Sequence, residues 1–301
     1  MKMAVFNSRL MLVYFLVLLV ELFISGVHGA ISQGNMRTID GINKEGPYLG
    51  IIVPNAYEMN PLLQSPSFQT HQDFPYFDFA GRRFRIGGLG NEKVIIVMTG
   101  LSMLNAGIAT QLLLSLFKVK GVLHYGIAGN ANSQLQIGDV TIPRYWAHTG
   151  LWNWQPEEIF PVYGTPEERQ HLFWVPVDKH YFSVAKRLKS LKLGGCVNET
   201  CLPRTPMVVR VRRGISANVL LDNSAYRQFL NSKFNATPVD METAAIALVC
   251  HQQNISFIAF RSLSDLAGGG SALSNEAAIF GSLAAQNAVD ALLGFITLLS
   301  T

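Results

Sequence analysis

The stretch from Pro238 to Gly270 constrains the fold of this chain most, because it joins a helix to a buried strand. Asp240, Met241 and Glu242 open the predicted helix, where Asp240 is suited to cap the first turn. The small apolar residues that follow allow this helix to pack closely. The strand is predicted over Ser256–Phe260.

Polar residues come directly after that predicted strand, namely Arg261, Ser264 and Asp265. Ligands of open α/β sheets bind outside the carboxyl ends of the strands, so we expect these side chains at a functional site. Glu242 is also unusual, because a carboxylate beside Met241 and a small apolar run is partly desolvated. Such a charge persists only if other groups donate hydrogen bonds to it.

Short apolar runs alternate with helical patterns along the rest of the chain. A two-strand signal surrounds the turn at Gly90 and Asn91. Further strands are predicted at Tyr48–Pro54, Gly121–Tyr125, Met207–Val211 and Gly214–Leu221, and helices at Ile108–Lys118, Asn223–Ser232 and Asn275–Leu299. This pattern predicts an α/β protein, a three-layer α/β/α sandwich with a central mixed β-sheet.

Residues 1–29 have the layout of a secretory signal peptide, with Lys2 and Arg9 before an apolar core and small residues after it. A membrane anchor is the alternative, because the apolar run is near the lower length for spanning. The uncharged far flank favours the signal peptide, so no stable membrane anchor is expected. Residues 30–47 are polar and predicted to be a loose N-terminus, and residues 48–301 form one domain.

Cysteines and glycosylation motifs agree with the secretory route. Cys196 and Cys201 have a spacing that a local disulfide can close. No second ligand pair accompanies them, so no metal site is expected. Glycosylation sequons begin at Asn198, Asn235 and Asn254, each in a predicted loop. A glycoprotein of the vacuole or the extracellular space is therefore expected.

Charge and aromatic content bear on the partners. The net charge is +4, and the basic residues do not alternate with aromatic ones, so no nucleic acid partner is expected. All four tryptophans fall within residues 144–180, which suggests a pocket lid or a subunit interface. A surface flap packed on its own aromatic residues explains them equally well. A homo-oligomer is expected.

Five ordered blocks of sequence resemble the nucleoside phosphorylase and nucleosidase family. They are LGIIVPNAYE, TGLSMLNAGIATQLL, HYGIAGNANSQLQIGDV, VDMETAAIALVC and FRSLSDLAG. The most similar branches are the methylthioadenosine/S-adenosylhomocysteine nucleosidases and the plant bark storage and wound-inducible proteins. The resemblance implies a phosphorylase/hydrolase-like fold for residues 48–301, with part of residues 144–205 not covered.

The resemblance assigns roles in cleaving the N-ribosidic bond of a purine nucleoside. Asp265 matches the general acid near the purine, and a proton-donating aspartate must be held neutral, which burial favours. Glu58 matches the glutamate that activates water, with Arg261 nearby as a further catalytic group. Glu242 matches the residue that holds the ribose hydroxyls and Met241 the residue beneath the sugar.

Each of these assignments has a structural alternative. Asp265 also suits a turn or helix cap after Ser264, which is itself expected to contact the substrate. Glu58 also suits a solvated loop, and Arg261 a structural salt bridge. The sequence alone leaves these alternatives open.

Two departures from the family pattern concern phosphate, and one concerns the base. His124 stands where phosphorolytic relatives have an arginine, and Ile127 replaces a hydroxyl residue. Both changes weaken a phosphate site. His124 can bind an anion only when protonated, and a satisfied histidine at a strand end is the alternative. Val219 falls where relatives stack an aromatic side chain on the base, so it is a candidate substrate contact.

The sequence therefore predicts an enzyme that cleaves purine-type nucleosides, a nucleosidase or a phosphorylase, without a cofactor. Phosphate is a candidate co-substrate, but Glu58 would repel it, so hydrolysis is slightly favoured. A vegetative or bark storage protein with vestigial activity is one alternative. A non-catalytic binder of adenine-type compounds such as cytokinins is another.

Overall fold

The computed structural model describes residues 31–154, 159–161, 172–268 and 276–300, with backbone alone for residues 151–154, 159–161 and 276–277. The expected signal peptide, residues 1–29, lies outside the described residues. So do the side chains of Trp152 and Trp154.

Fifteen strands and seven α-helices occupy the described part of the chain. The strands are β1 Tyr48–Val53, β2 Phe68–Thr70, β3 Tyr76–Phe79, β4 Arg82–Leu89, β5 Glu92–Met98, β6 Val119–Asn130, β7 Val140–His148, β8 Trp152–Trp154, β9 Ile159–Pro161, β10 Val175–Pro176, β11 Cys196–Val197, β12 Thr200–Cys201, β13 Val208–Ser216, β14 Ala236–Asp240 and β15 Phe257–Asp265. The helices are α1 Gln33–Glu45, α2 Ala56–Leu63, α3 Met103–Leu116, α4 Lys179–Val184, α5 Ser224–Phe234, α6 Thr243–Gln252 and α7 Glu276–Leu299, with 3-10 turns at Thr149–Leu151 and Ala185–Ser190.

The expectation of a loose terminus over residues 30–47 is wrong, because helix α1 occupies most of it. The hydroxyl of Ser32 accepts a hydrogen bond from the Asn35 amide (3.2 Å) and so supports the first turn. Two glycines within a largely polar stretch hid the helical pattern. The chain divides between Lys44 and Glu45 into two compact units, and the second carries all the remaining elements.

The main sheet is mixed and has eleven strands among the described residues. Its path runs β10-β7-β13-β14-β6-β1-β5-β4-β2, with β3 on β4. Strand β15 pairs with both β6 and β7, so β6, β14, β13, β7 and β15 form a closed cycle of pairings. This closure bends the sheet and draws the ends of several strands toward one another.

Helices cover both faces of the sheet, which confirms the predicted three-layer sandwich. Along β1, Leu49 and Ile51 share a core cluster with Phe295 of α7. The intervening Gly50 faces the opposite way, where an added Cβ would meet Leu113 of α3 at 2.7 Å. The alternation of side chains along a strand therefore separates the two helical layers.

Two predicted strand boundaries are wrong for the same reason. Strand β15 continues through Arg261 to Asp265, because it stays paired in parallel with β6 as far as Gly129, with a register shift between Leu263 and Asp265. The two strands predicted between residues 207 and 221 are the single strand β13, which pairs continuously with β7. Continued pairing satisfies backbone groups that local sequence would leave to a loop.

The C-terminal helix and a small hairpin complete the second unit. The Ala278–Leu299 part of α7 is long and apolar enough to cross a membrane, yet 67% of its most apolar window is buried in the protein. It is therefore accounted for as a core helix. A disulfide joins Cys196 to Cys201 and closes the β11–β12 hairpin.

Candidate active site

The structure brings three acidic residues from distant parts of the chain to one pocket at the carboxyl ends of the central strands. Six residues predicted for the site line it: Glu58, Val219, Met241, Glu242, Ser264 and Asp265. The remaining lining comes from Pro54, Asn55, Leu101, Ile127, Ala128, Gly129, Leu220, Leu221, Val239 and Asp240. The pocket thus has carboxylates below an apolar wall, a lining that suits a small molecule with one polar and one flat apolar part.

Glu58 lies in the first turn of α2 and is buried, at 2% exposure. Its carboxylate accepts hydrogen bonds from the Asn55 amide group (3.1 Å) and from the Ile127 backbone N–H (2.8 Å). Burial nevertheless raises the pKa of Glu58 to about 7, while Arg261 and the Ile127 N–H act in the opposite direction. A carboxylate with this pKa can accept or release a proton near neutral pH.

Glu242 lies at the start of α6 and is also buried. Its Oε1 accepts the Ser102 backbone N–H (3.0 Å), and its Oε2 accepts Nη2 of Arg261 (3.3 Å). Burial raises the pKa of Glu242, and the Arg261 guanidinium opposes that effect. The hydrogen-bond donors that a desolvated carboxylate requires are therefore present.

Arg261 does not line the pocket, which corrects its expected catalytic role. It is fully buried and donates from Nε to Asp240 Oδ2 (2.7 Å), from Nη1 to the Ile127 carbonyl (3.3 Å) and from Nη2 to Glu242. The structural salt bridge was thus the better interpretation. Arg261 is a positioning residue, because it holds Glu242 and offsets the buried charge of two carboxylates.

The predicted N-cap position of Asp240 is wrong, because Glu242 is the N-cap residue of α6 and Asp240 lies two residues before it. Asp240 Oδ1 accepts the N–H groups of Glu242 and Thr243 (3.2 Å each) and the Ser216 hydroxyl (2.5 Å). These bonds and the Arg261 contact use both carboxylate oxygens. Asp240 therefore belongs to the floor of the pocket.

His124 lies behind the pocket, so its expected role in holding substrate or an anion is wrong. The ring is fully buried, with Nδ1 against the Ile52 carbonyl (2.8 Å) and Nε2 against Nη2 of Arg261 (2.5 Å). Burial and the neighbouring guanidinium hold the pKa of His124 well below its usual range. The imidazole is therefore neutral, donating to Ile52 and accepting from Arg261.

Asp265 ends β15 and faces the pocket, but it is only half-buried. The burial expected to hold it neutral is therefore incomplete in the protein alone. Its Oδ1 accepts the Ala267 N–H (2.7 Å) and its Oδ2 accepts the Ser264 hydroxyl (2.8 Å). These bonds form the local turn that was the structural alternative, and they also fix the carboxylate toward the cavity.

Val219 belongs to an exposed loop after β13, together with Leu220 at 83% exposure. The loop is tied to the start of α3, because the Met103 N–H donates to the Asn218 side chain (3.2 Å). The apolar lining residues Leu101 and Leu220 were not predicted for the site, although Leu101 belongs to one of the five sequence blocks.

Asn55 was also missed, although a signal for it exists. Asn55 precedes Glu58 by three residues, the spacing of a capping box. The Asn55 side chain accepts the Glu58 N–H (3.1 Å) while its amide group donates to the Glu58 carboxylate (3.1 Å). One asparagine therefore starts α2 and orients the carboxylate.

Gly126 has no side chain, which leaves room for the Arg261 guanidinium and the Glu58 carboxylate to lie close to its Cα. A Cβ on Gly126 would lie 2.2 Å from Arg261 Nη1 and 2.9 Å from Glu58 Oε1. Any larger residue here would separate the guanidinium from the carboxylate that it stabilises.

Ser102 holds a backbone conformation that glycine adopts far more readily, with φ 85° and ψ 154°. Its backbone N–H donates to Glu242, so the strained backbone lies at a contact with a residue of the pocket.

We expect Ser102→Gly to raise the free energy of unfolding by about 1 kcal/mol, because the backbone strain is relieved while the N–H donor remains. Thermal and urea unfolding would measure this, with Ser190→Gly as an exposed control. A lower melting temperature for Ser102→Gly would contradict the assignment.

Two expectations concern groups elsewhere in the fold. Trp146 is fully buried on β7, and Trp174 packs against Phe173 and Phe234, so neither lines the pocket.

Within the described ranges, no group of three or more His, Cys, Asp or Glu side chains is arranged to hold a metal ion. A second cleft, between the β4–β5 turn and α7, has no titratable side chain in its lining.

Comparison with known proteins places the chain among enzymes and storage proteins that share this scaffold. The sequence model of the phosphorylase superfamily matches residues 48–297. Bark storage protein A of Populus deltoides is 29% identical over 249 residues, covering 73% of this chain and 80% of that protein. The 5′-methylthioadenosine/S-adenosylhomocysteine nucleosidase of Bacillus cytotoxicus is 30% identical over 195 residues, covering 63% and 75%.

Solved structures show the same fold. The Helicobacter pylori 5′-methylthioadenosine/S-adenosylhomocysteine nucleosidase with butyl-thio-DADMe-Immucillin-A has a TM-score of 0.69 at 18% identity, covering 84% of this chain and 99% of that chain. The futalosine hydrolase of the same organism has a TM-score of 0.65 at 20% identity, covering 83% and 97%. The match of the phosphorylase superfamily model to residues 48–297 confirms the resemblance inferred from the five sequence blocks.

Proposed function

Because the chain belongs to the phosphorylase superfamily, we propose that it is an enzyme that cleaves the N-ribosidic bond of purine-type nucleosides. The observation that carries this proposal is the convergence of Glu58, Glu242 and Asp265 on one pocket. Two of these carboxylates are buried and supplied with hydrogen-bond donors. Similarity to nucleosidases supports the same reaction class.

In this proposal Glu242 and Met241 bind the sugar. A carboxylate that accepts hydrogen bonds from two ribose hydroxyls orients the ring, and its charge stabilises the oxocarbenium-like transition state. Arg261 and the Ser102 amide keep Glu242 in place without contacting the sugar. Met241 supplies an apolar surface beneath the ring.

Glu58 and Asp265 act on the two sides of the breaking bond. Glu58 accepts a proton from the attacking water, which its pKa of about 7 permits. Asp265 donates a proton to the departing purine, while the Ser264 hydroxyl fixes its position. A purine seated against Asp265 would exclude water from this half-buried carboxyl.

We propose water rather than phosphate as the nucleophile. The guanidinium of Arg261 is bound to Asp240, Glu242 and the Ile127 carbonyl. Arg227, which lies beside the pocket, donates from Nη1 to the Leu266 and Gly268 carbonyls. His124 is neutral and buried. A phosphate ion would therefore meet Glu58 and Glu242 without a free positive charge to offset them.

The test is release of free adenine from 5′-methylthioadenosine and adenosine, followed by chromatography with and without phosphate. We expect release in both buffers, with phosphate changing the rate by less than about twofold. If phosphate strongly increased the rate of base release and ribose 1-phosphate appeared as a product, the reaction would be phosphorolysis rather than hydrolysis. Absence of base release in both buffers would reject the enzymatic proposal.

The pH dependence should follow Glu58. We expect kcat/KM to rise as pH increases through about 7 and to level off above it, because burial raises the pKa of Glu58 to about 7 and only its ionised form is a base. Base release at a series of pH values in constant ionic strength measures this. If kcat/KM rose instead near pH 4.5, the ordinary pKa of glutamate, the buried Glu58 would not be the base.

A storage role with vestigial activity is the second candidate, supported by the similarity to bark storage protein A. A non-catalytic binder of adenine-type compounds such as cytokinins is the third. Tight binding of adenine without turnover would select the binder, and neither binding nor turnover would select storage.

We further propose secretion to the vacuole or extracellular space, with glycans on the three sequons. Asn198, Asn235 and Asn254 are all exposed in the structure, which supports this assignment. Mass analysis before and after glycan removal would test it. Homo-oligomer formation stays a prediction, to be measured by light scattering.

A further inference from the structure

A cationic surface lies on the segment that follows α4 and on the neighbouring strand β13. Its six exposed basic residues are Lys186, Arg187, Lys189, Lys192, Arg210 and Arg212. None of them makes an ion pair with another described residue. Residues 179–195 contain no aspartate or glutamate. Within the described ranges, no ion pair therefore neutralises these six positive charges.

The fold holds these cations outward on a rigid support. In the 3-10 turn, Ala185 and Leu188 are buried, so the basic residues between and beside them face solvent. On β13, Arg210 and Arg212 are two residues apart and so share one face of the strand. Both are exposed.

Arg210 connects the two halves of this surface. Its guanidinium lies 4.9 Å from the centre of the Phe182 ring of α4, and its Nη1 donates to the Phe182 carbonyl (3.3 Å). Since α4 runs directly into the 3-10 turn, the strand and helical cations belong to one surface.

This surface carries six of the 24 lysine and arginine side chains of the chain. The whole chain carries a net charge of +4, so with six positive charges on this surface the remainder is net negative. Unpaired like charges on a fixed surface attract polyanions over several ångströms and raise their local concentration.

The neighbouring side chains favour one class of polyanion. A helix that inserts into a membrane surface presents apolar side chains beside its cations, but here Leu188 and Leu193 are buried in the core. Single-stranded nucleic acid requires exposed aromatic rings for base stacking, and the Phe182 ring is covered by Arg210. A polysaccharide with carboxylate or sulfate groups needs neither.

We propose that this cationic surface binds an acidic polysaccharide, through contacts of its basic side chains with the carboxylates or sulfates of successive sugars. Such binding would retain the protein on an anionic matrix while leaving the nucleoside pocket free, because none of the six residues lines that pocket.

The experiment uses the full chain and measures binding to polygalacturonate and to heparin, with dextran as the neutral control. We expect saturable binding to at least one of the two at about 50 mM NaCl and its loss at about 500 mM, because salt screens exposed charges. The relative affinities identify carboxylate or sulfate as the preferred group. No binding at low salt would overturn the proposal, as would tighter binding to anionic phospholipid vesicles or to poly(U).

A pair of charge-matched variants locates the site. Lys186→Gln with Lys189→Gln should weaken binding about tenfold, whereas Lys93→Gln with Lys233→Gln should change it less than about twofold. Both variants lose the same net charge from exposed positions, so similar melting temperatures verify that each is folded. Equal weakening by the two variants would show a response to net charge alone and would reject the surface.

Discussion

Replacing Asp265 by asparagine is expected to lower kcat/KM for base release about 10²–10⁴-fold, because an amide cannot donate the proton that the departing purine needs. The replacement preserves shape, and its carbonyl oxygen can still accept the Ala267 N–H. The pocket should therefore keep its affinity for a nucleoside analogue. The measurement is base release together with calorimetric titration of that analogue.

A matched control separates proton donation from general charge. Asp222 is exposed on the loop beside the pocket-lining Leu221, so Asp222→Asn makes the same chemical change without altering the cavity lining. We expect Asp222→Asn to retain activity. If Asp265→Asn were equally active, the proton would have to come from another group, and Asp265 would have the turn-forming role alone.

Replacing Glu58 by glutamine should also lower kcat/KM about 10²–10⁴-fold and remove the rise with pH near 7, since the amide cannot accept a proton from water. Glutamine can still accept the Ile127 N–H, so the backbone around the pocket should be unchanged. Glu199→Gln, an exposed change on the β11–β12 hairpin, is the control. An unchanged pH profile in Glu58→Gln would contradict the assigned base.

The same substitution should stabilise the protein above neutral pH. Burial raises the pKa of Glu58 from an ordinary 4.5 to about 7, so the native state binds more protons than the unfolded state between these values. Stability then falls as pH rises through that window, by roughly 3 kcal/mol when the shift is converted to free energy. At about pH 8 we expect Glu58→Gln to melt at a higher temperature than the wild type, and at about pH 4 to match it.

This combination distinguishes a catalytic carboxylate from a structural one. A residue that merely supports the fold would lose stability when replaced, and activity would fall with it. For Glu58→Gln we predict effects of opposite sign, an inactive enzyme with a higher melting temperature at alkaline pH. If Glu58→Gln lowered both the activity and the melting temperature at alkaline pH, Glu58 would have a structural role.

The sequence predicted the layers of the fold and three of the four acidic residues that line the pocket, for different reasons. Apolar runs and helical patterns reflect which side chains are buried, so they predict the three-layer α/β/α sandwich. Glu58 was selected by family resemblance, whereas Glu242 was also indicated by its apolar neighbours and Asp265 by its place after a predicted strand. Their meeting at one pocket depends on strand pairing across more than a hundred residues, which no local pattern contains.

Arg261 and His124 show what the sequence could not provide. Both stand close to pocket residues along the chain, but the continued pairing of β15 with β6 turns them beneath the cavity, where they bond to each other. Whether a side chain faces the pocket depends on whether its residue belongs to the strand or to the loop that follows. The predicted strand ended at Phe260, whereas β15 extends to Asp265. Asn55, by contrast, was available from its capping-box spacing to Glu58.

The most direct test of the central claim is a crystal structure of the Asp265→Asn protein with 5′-methylthioadenosine. We predict the ribose hydroxyls within about 3 Å of Glu242, the purine against residue 265 and Glu58 on the opposite face of the sugar. A nucleoside bound in another cleft, or one whose sugar contacts neither glutamate, would contradict the account.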